Sequence, residues 1–280
     1  MKKLPFILLG LGGSAAIAAG VAILVLALDI GPRELPTPAN VAGRAPASAP
    51  ASSTSPAGRT AARRLIEARL AQVPEYQGFF DRLRLAFPSQ YEATLDGFAD
   101  RLVATGGEQS VDVYLSEAVR DLRLARGALA AKADAASLAR IFDVQLAMLD
   151  ALSNTDQRLC VDFLYGGASD AFFQFSGQNR QLAGDMAVAG LNAIIDGQAK
   201  KNDRQPPSDA DFLLLEKAMA GKGLSQVEIE ALLDGKTPDP PLEDGRLCRA
   251  GRVYLEMLKT LPEPVRLRIY ALAVELMARS

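Results

Sequence analysis

Val111-Asp112-Val113-Tyr114-Leu115-Ser116-Glu117-Ala118-Val119-Arg120-Asp121-Leu122-Arg123-Leu124-Ala125 is the stretch whose reading decides the fold class. Val111, Leu115, Ala118, Leu122, Ala125 and Leu129 recur at alternating steps of four and three, which lines one face of a helix. Asp112, Glu117, Arg120 and Arg123 fall on its other sides. The pattern predicts one amphipathic helix over 111–129.

Working outward, the same period returns almost everywhere from Arg59 to Ser280. Ile66, Leu70 and Val73 step along a helix that Pro74 ends, and Phe79, Leu83 and Ala86 continue to Pro88. Tyr91, Leu95, Phe98 and Leu102 make a stripe that stops at Gly106-Gly107, while Leu138, Phe142, Leu146 and Leu149 run towards Ser153-Asn154. Leu182 to Ile195 is nearly all small and apolar. It is too short for a membrane span and is expected to be the most buried helix, its small residues allowing close packing. Ser208 with Asp209 and Asp211, and Ser225 with Glu228, read as helix starts. Val265, Ile269, Leu272 and Leu276 line the last helix. No alternating run of β-branched residues suggests a strand. The expectation is an all-α domain at 59–280, about eleven helices in an orthogonal or irregular bundle.

Two five-residue frames inside this domain share the form D-x-R-L-C: Asp156 to Cys160 and Asp244 to Cys248. They hold the only two cysteines of the chain. An aspartate at a helix start accepts otherwise unpartnered backbone N–H groups, so each cysteine falls about one turn inside a helix. Leu159 and Leu247 are expected on the buried face, with Arg158 and Arg246 exposed or bridging the pair. A Cys160–Cys248 disulfide is the leading reading; two buried thiols and a redox pair are the alternatives.

The choice depends on the compartment. Phe6 to Leu28 is free of charge and at ~1.5 Å per residue is long enough to cross a bilayer. A cleaved signal peptide ending at Ala16-Ile17-Ala18 is the rival, but the apolar run continues well beyond it. Lys2 and Lys3 before the run and Asp29 after it favour residues 1–5 as a short cytoplasmic tail and everything beyond Asp29 outside the cytoplasm. Gly12, Ala16 and Gly20, four apart, offer a small-residue face for pairing of two such spans. Residues 29–58 carry six prolines among alanine and serine, the composition of a disordered tether. Extended, it would stand the domain off the bilayer by up to roughly 85 Å.

The composition excludes several chemistries. With no histidine in the chain, Ser-His-Asp, Cys-His and H-E-x-x-H sites are impossible. The net charge of −2 argues against a nucleic-acid partner. Gly235-Lys236-Thr237 imitates the end of a phosphate loop, but Glu230 stands where its first glycine belongs, and Gly221-Lys222-Gly223 reads as a helix end. Asp209 and Asp211, and Asp239, Glu243 and Asp244, lack calcium-loop spacing and read as helix starts. No catalytic residue, cofactor or metal ligand is therefore assigned.

The plan is similar in architecture to single-pass bacterial envelope proteins carrying a tethered helical domain, a resemblance that implies no activity. The expectation is a non-enzymatic binding or scaffold protein of the cytoplasmic (inner) membrane, held in the bilayer through residues 6–28. Its domain, periplasmic or otherwise extracytoplasmic, would meet an envelope protein or a second copy. The alternative is a cell-wall glycan hydrolase using a carboxylate pair, for which Glu75, Glu92 and Glu117 are the acids with neighbouring tyrosines.

Overall fold

The computed structural model describes residues 56–279 apart from 108 and 166–168. The span at 6–28, the pairing face Gly12, Ala16 and Gly20, and the tether up to 55 lie outside the described residues. Among the described residues there is no strand, and no helix is long and apolar enough to cross a membrane.

The first half of the domain comprises α1 (Pro56–Leu70), α2 (Pro74–Ala86), α3 (Pro88–Thr105), α4 (Val111–Arg126), a 3-10 segment (Gly127–Lys132), α5 (Ala135–Thr155) and α6 (Gln157–Leu164). The second comprises α7 (Asp170–Gln178), α8 (Arg180–Lys200), α9 (Asp209–Gly221), α10 (Gln226–Leu233), α11 (Asp244–Thr260) and α12 (Glu263–Arg279). The boundaries follow local chemistry. Pro74 and Pro88 occupy first-turn positions, where a missing N–H costs nothing. Ser110, Asp134, Asp156 and Ser169 accept backbone N–H bonds at the starts of α4, α5, α6 and α7. Gly106 ends α3 with φ 62°, a left-handed cap that glycine adopts without strain. The expected capping box at Ser225 and Glu228 is present, and a second forms between Ser208 and Asp211.

Four expectations are corrected. Helix α1 begins at Pro56, inside the stretch that composition assigned to the tether, because a proline is as suited to a first helical turn as to an extended linker. Among the described residues there are twelve α-helices, where about eleven were expected. The helix predicted over 111–129 stops at Arg126 and tightens into the 3-10 segment, for which α12 and the loop after α8 are responsible. A Cβ on Gly127 would lie 2.8 Å from Cβ of Ala278, so α12 passes too close for an ordinary side chain. The segment's carbonyls are also taken from outside: Arg204 donates to the oxygens of Ala131 and Ala133, and the N–H of Asn202 to that of Lys132. These donors replace the next turn of α-helical bonding.

The fourth correction concerns α8. It is central, packing against α2, α4, α5, α7 and the 3-10 segment, but what it buries is chiefly Gly184, Ala187, Ala189, Ala193 and Gly197. It also buries Leu191 and Ile194, but the bulkiest buried side chains come from elsewhere: Tyr76 and Phe79 of α2, Phe98 of α3, Tyr114 of α4, Phe142 of α5 and Tyr270 of α12. Phe142 stacks on Tyr270 with ring centroids 3.8 Å apart. As expected, small residues on α8 allow backbones to touch. A Cβ on Gly184 would collide with the carbonyl oxygen of Glu75, and one on Gly197 with that of Leu129.

Candidate functional site

The two D-x-R-L-C frames come together, but in a staple and not in a cleft. Cys160 and Cys248 are buried, with their Cα atoms 5.7 Å apart and their sulfurs at disulfide distance. They tie the start of α6 to the start of α11. Asp156 accepts from the N–H groups of Arg158 and Leu159, and Leu159 and Leu247 face inward. The arginines diverge. Arg158 reaches across the pair to Asp244 at 3.6 Å, whereas Arg246 turns to the buried carboxylate of Glu228, which it shares with Arg249.

Between the helices lies an apolar cavity of about 140 Å³, among α4, α5, α8, α12 and the 3-10 segment. Phe79, Leu122, Ile141, Phe163, Ile194 and Val274 are among its walls, and Arg123 and Gln145 are its only polar lining residues. Small residues of α8 open the space, since Ala187 and Gly190 stand where larger side chains would fill it. A second cavity of about 70 Å³ shares Val119, Met186 and Ala187 with the first, so the two are neighbours through one wall.

The second cavity has a polar end. Tyr76, wholly buried, donates to Oδ1 of Asp112 at 2.6 Å, and Arg180 approaches the same carboxylate through two nitrogens at 3.0 and 3.2 Å. Burial, then the bond to Asp112, pushes the Tyr76 phenol far above its ordinary value. Burial also works against an ionised Asp112, but the bonds from Arg180 and Tyr76 outweigh it and hold the carboxyl below its usual range. A neutral phenol, a carboxylate and a guanidinium form a satisfied network joining α2, α4 and the start of α8. No side chain in it is poised to take a proton at neutral pH.

The three glutamates considered as glycan-cleaving acids lie on separate helices with separate partners. Glu92 of α3 pairs with Arg63, Glu117 of α4 with Arg101, and Glu75 of α2 borders a polar cleft beside Arg180 and Asp185. Burial raises the Glu117 carboxyl against the attraction of Arg101. Gly235 adopts φ 64° in the turn after α10, and Lys236 beside it pairs with Glu230 and Asp234. Gly221, Lys222 and Gly223 end α9 and turn towards α10. Among the described residues no three Cys, Asp or Glu side chains gather as a metal site.

Asp211, read from sequence only as a helix-start residue, has a larger role. It is buried, closes the capping box at Ser208, and receives Arg268 of α12 at 2.6 and 2.9 Å. The Arg268 bonds, opposed by burial and aided by Ser208, bring its carboxyl down to about 2. A depressed carboxylate stabilises the fold above its unfolded value, near 4, and that contribution is lost as pH falls from there towards 2. Arg268→Leu, which leaves the Ser208 bonds in place, is therefore expected to remove only part of this contribution at pH 7 and almost none of it at pH 2, by urea melts at both values.

The fold and its site define a helical domain with an apolar cavity between its helices. The chain matches no protein-family model, no curated protein and no solved structure. Sequence reasoning missed the cavity because its walls come from six helices and the 3-10 segment. One local signal was present. Gln145 sits on the inward stripe of α5 between Phe142 and Leu149 and is buried, while Leu146, expected inward, is partly buried and packs against the core.

Proposed function

We propose that this chain is a membrane-anchored, extracytoplasmic binding protein of the bacterial envelope, and that its helical domain takes a small apolar molecule into the cavity between α4, α5, α8 and α12. Residues 6–28 are the anchor and residues 29–55 the tether. The apolar cavity carries the binding reading. Close-packed interiors leave few voids larger than a water molecule, and a cavity with this lining holds water poorly. At about 140 Å³ it is of the size that admits a benzene-sized ligand. Cys160 and Cys248 at disulfide distance suit an oxidising compartment and support the extracytoplasmic assignment.

Two measurements test this reading. Full-length protein in lipid nanodiscs, carrying 13C-methyl methionine, is titrated with toluene. The methyl signals of Met186 and Met277, both in the cavity wall, are expected to shift saturably. Gly190→Leu should abolish the response, because a Cβ at Gly190 meets nothing within 4 Å and the side chain would occupy the space. Unmoved methyl signals in the wild type would reject the ligand site, and crosslinking that captured an envelope protein or a second copy would then favour the scaffold role. For topology, alkaline phosphatase fused after Ser280 is expected to be active; activity only of a cytoplasmic reporter would overturn the localisation.

A further inference from the structure

The cavity has one feature that a purely apolar ligand leaves unanswered. Gln145 of α5 is 7% exposed, and its Oε1 is enclosed with no hydrogen-bond partner. Its Nε2 points to Sδ of Met277 at 3.6 Å, a weak acceptor. A buried amide in this state costs free energy, and native interiors leave few such groups. Water is a poor remedy here, because a buried water needs two to four polar partners and, besides Gln145, only Arg123 in the lining is polar.

We propose, building on the cavity reading above, that the ligand is a small neutral alcohol or phenol whose hydroxyl donates to Oε1 of Gln145 while its hydrocarbon body fills the cavity. The end torsion of a glutamine side chain is soft, so the amide plane can turn its oxygen towards the cavity without moving α5. An ionised acid is disfavoured because it offers no donor to Oε1. A protonated amine is disfavoured because this lining would strip its hydration without supplying a counter-charge. A neutral hydroxyl on an aromatic or short aliphatic body satisfies both the oxygen and the apolar walls.

Phenol and toluene are the discriminating probes, since they share a shape and differ in the hydroxyl. Full-length protein in nanodiscs is titrated with each, free concentrations being corrected for lipid partitioning, and the Met186 and Met277 methyl signals are followed. In a cavity without an acceptor, the unpaired hydroxyl would weaken phenol relative to toluene by about fivefold or more. With Gln145 present, phenol is expected to bind at least as tightly as toluene. Gln145→Leu should lower phenol affinity about tenfold and leave toluene within about twofold. Should that variant fail to fold, Gln145→Met, closer in shape, takes its place. A phenol-to-toluene ratio unchanged by the substitution overturns the hydroxyl inference while the cavity reading stands. Failure of both probes to move the methyl signals overturns the cavity reading and this inference with it.

Discussion

Replacing both cysteines, as Cys160→Ala with Cys248→Ala, is expected to remove roughly 4–5 kcal/mol of stability. The crosslink closes a loop of 88 residues, and in the chain-entropy account such a loop restricts the unfolded ensemble by that amount. Typical domains hold only ~5–15 kcal/mol in total, so the variant loses a large share. Both sulfurs are buried, so a reductant should act on the native protein only through opening of the fold. Guanidinium melts of oxidised wild type and double variant check the magnitude. A difference below about 1 kcal/mol would show that the crosslink does not constrain the unfolded chain. Non-reducing peptide mass spectrometry of protein purified without reductant is expected to recover the linked pair, and two free thiols would refute the bond itself.

Gly197→Ala is expected to cost about 3 kcal/mol or more, although alanine is ordinarily the better helix former. The added methyl would collide with the carbonyl oxygen of Leu129 and press on the N–H of Ala133 at 3.1 Å. Both are main-chain atoms, and the segment that carries them is held by Arg204, Asn202 and Asp196, so it has nowhere to retreat. Gly190→Ala, seven residues earlier on the same helix, is the matched contrast. Its methyl meets nothing within 4 Å, so only helix propensity counts, and a gain of about 1 kcal/mol is expected. Thermal melts of the two variants should therefore move in opposite directions. Equal shifts would mean that α8 and the 3-10 segment do not touch as described.

Those two glycines mark the boundary of what the chain discloses in one dimension. Nothing in their local sequence separates Gly190 from Gly197: both sit in an Ala/Gly-rich helix, and both have right-handed backbone. One faces open space and the other a carbonyl, because α8 reaches α2 at Gly184 and the 3-10 segment at Gly197. Asp211 and Glu228 show the same limit. Glu228 was legible as a capping-box residue and Asp211 as part of an acidic first turn, whereas their arginine partners on α11 and α12 were not, since those contacts join different helices.

By itself the sequence determined the local layer. The helical period, the stops at Pro74 and Pro88, the serine caps and the depth of each cysteine in its helix follow from interactions within a few residues. Asp156 caps its helix as read, whereas Asp244 stands just inside α11, where Glu243 holds the N-cap position and no side chain makes a capping bond. Where the pattern was continuous across 111–129, the structure broke it at Gly127, because α12 and Arg204 compete for that segment's space and carbonyls. Only the tertiary structure decided that Gln145 faces a cavity, that Arg158 and not Arg246 bridges the cysteine frames, and that Asp112 is enclosed by Tyr76 and Arg180. Local propensity specifies which residues share a helix face. What that face meets is settled by packing among helices, and the cavity exists because the small side chains of α8 leave space that its neighbours do not fill.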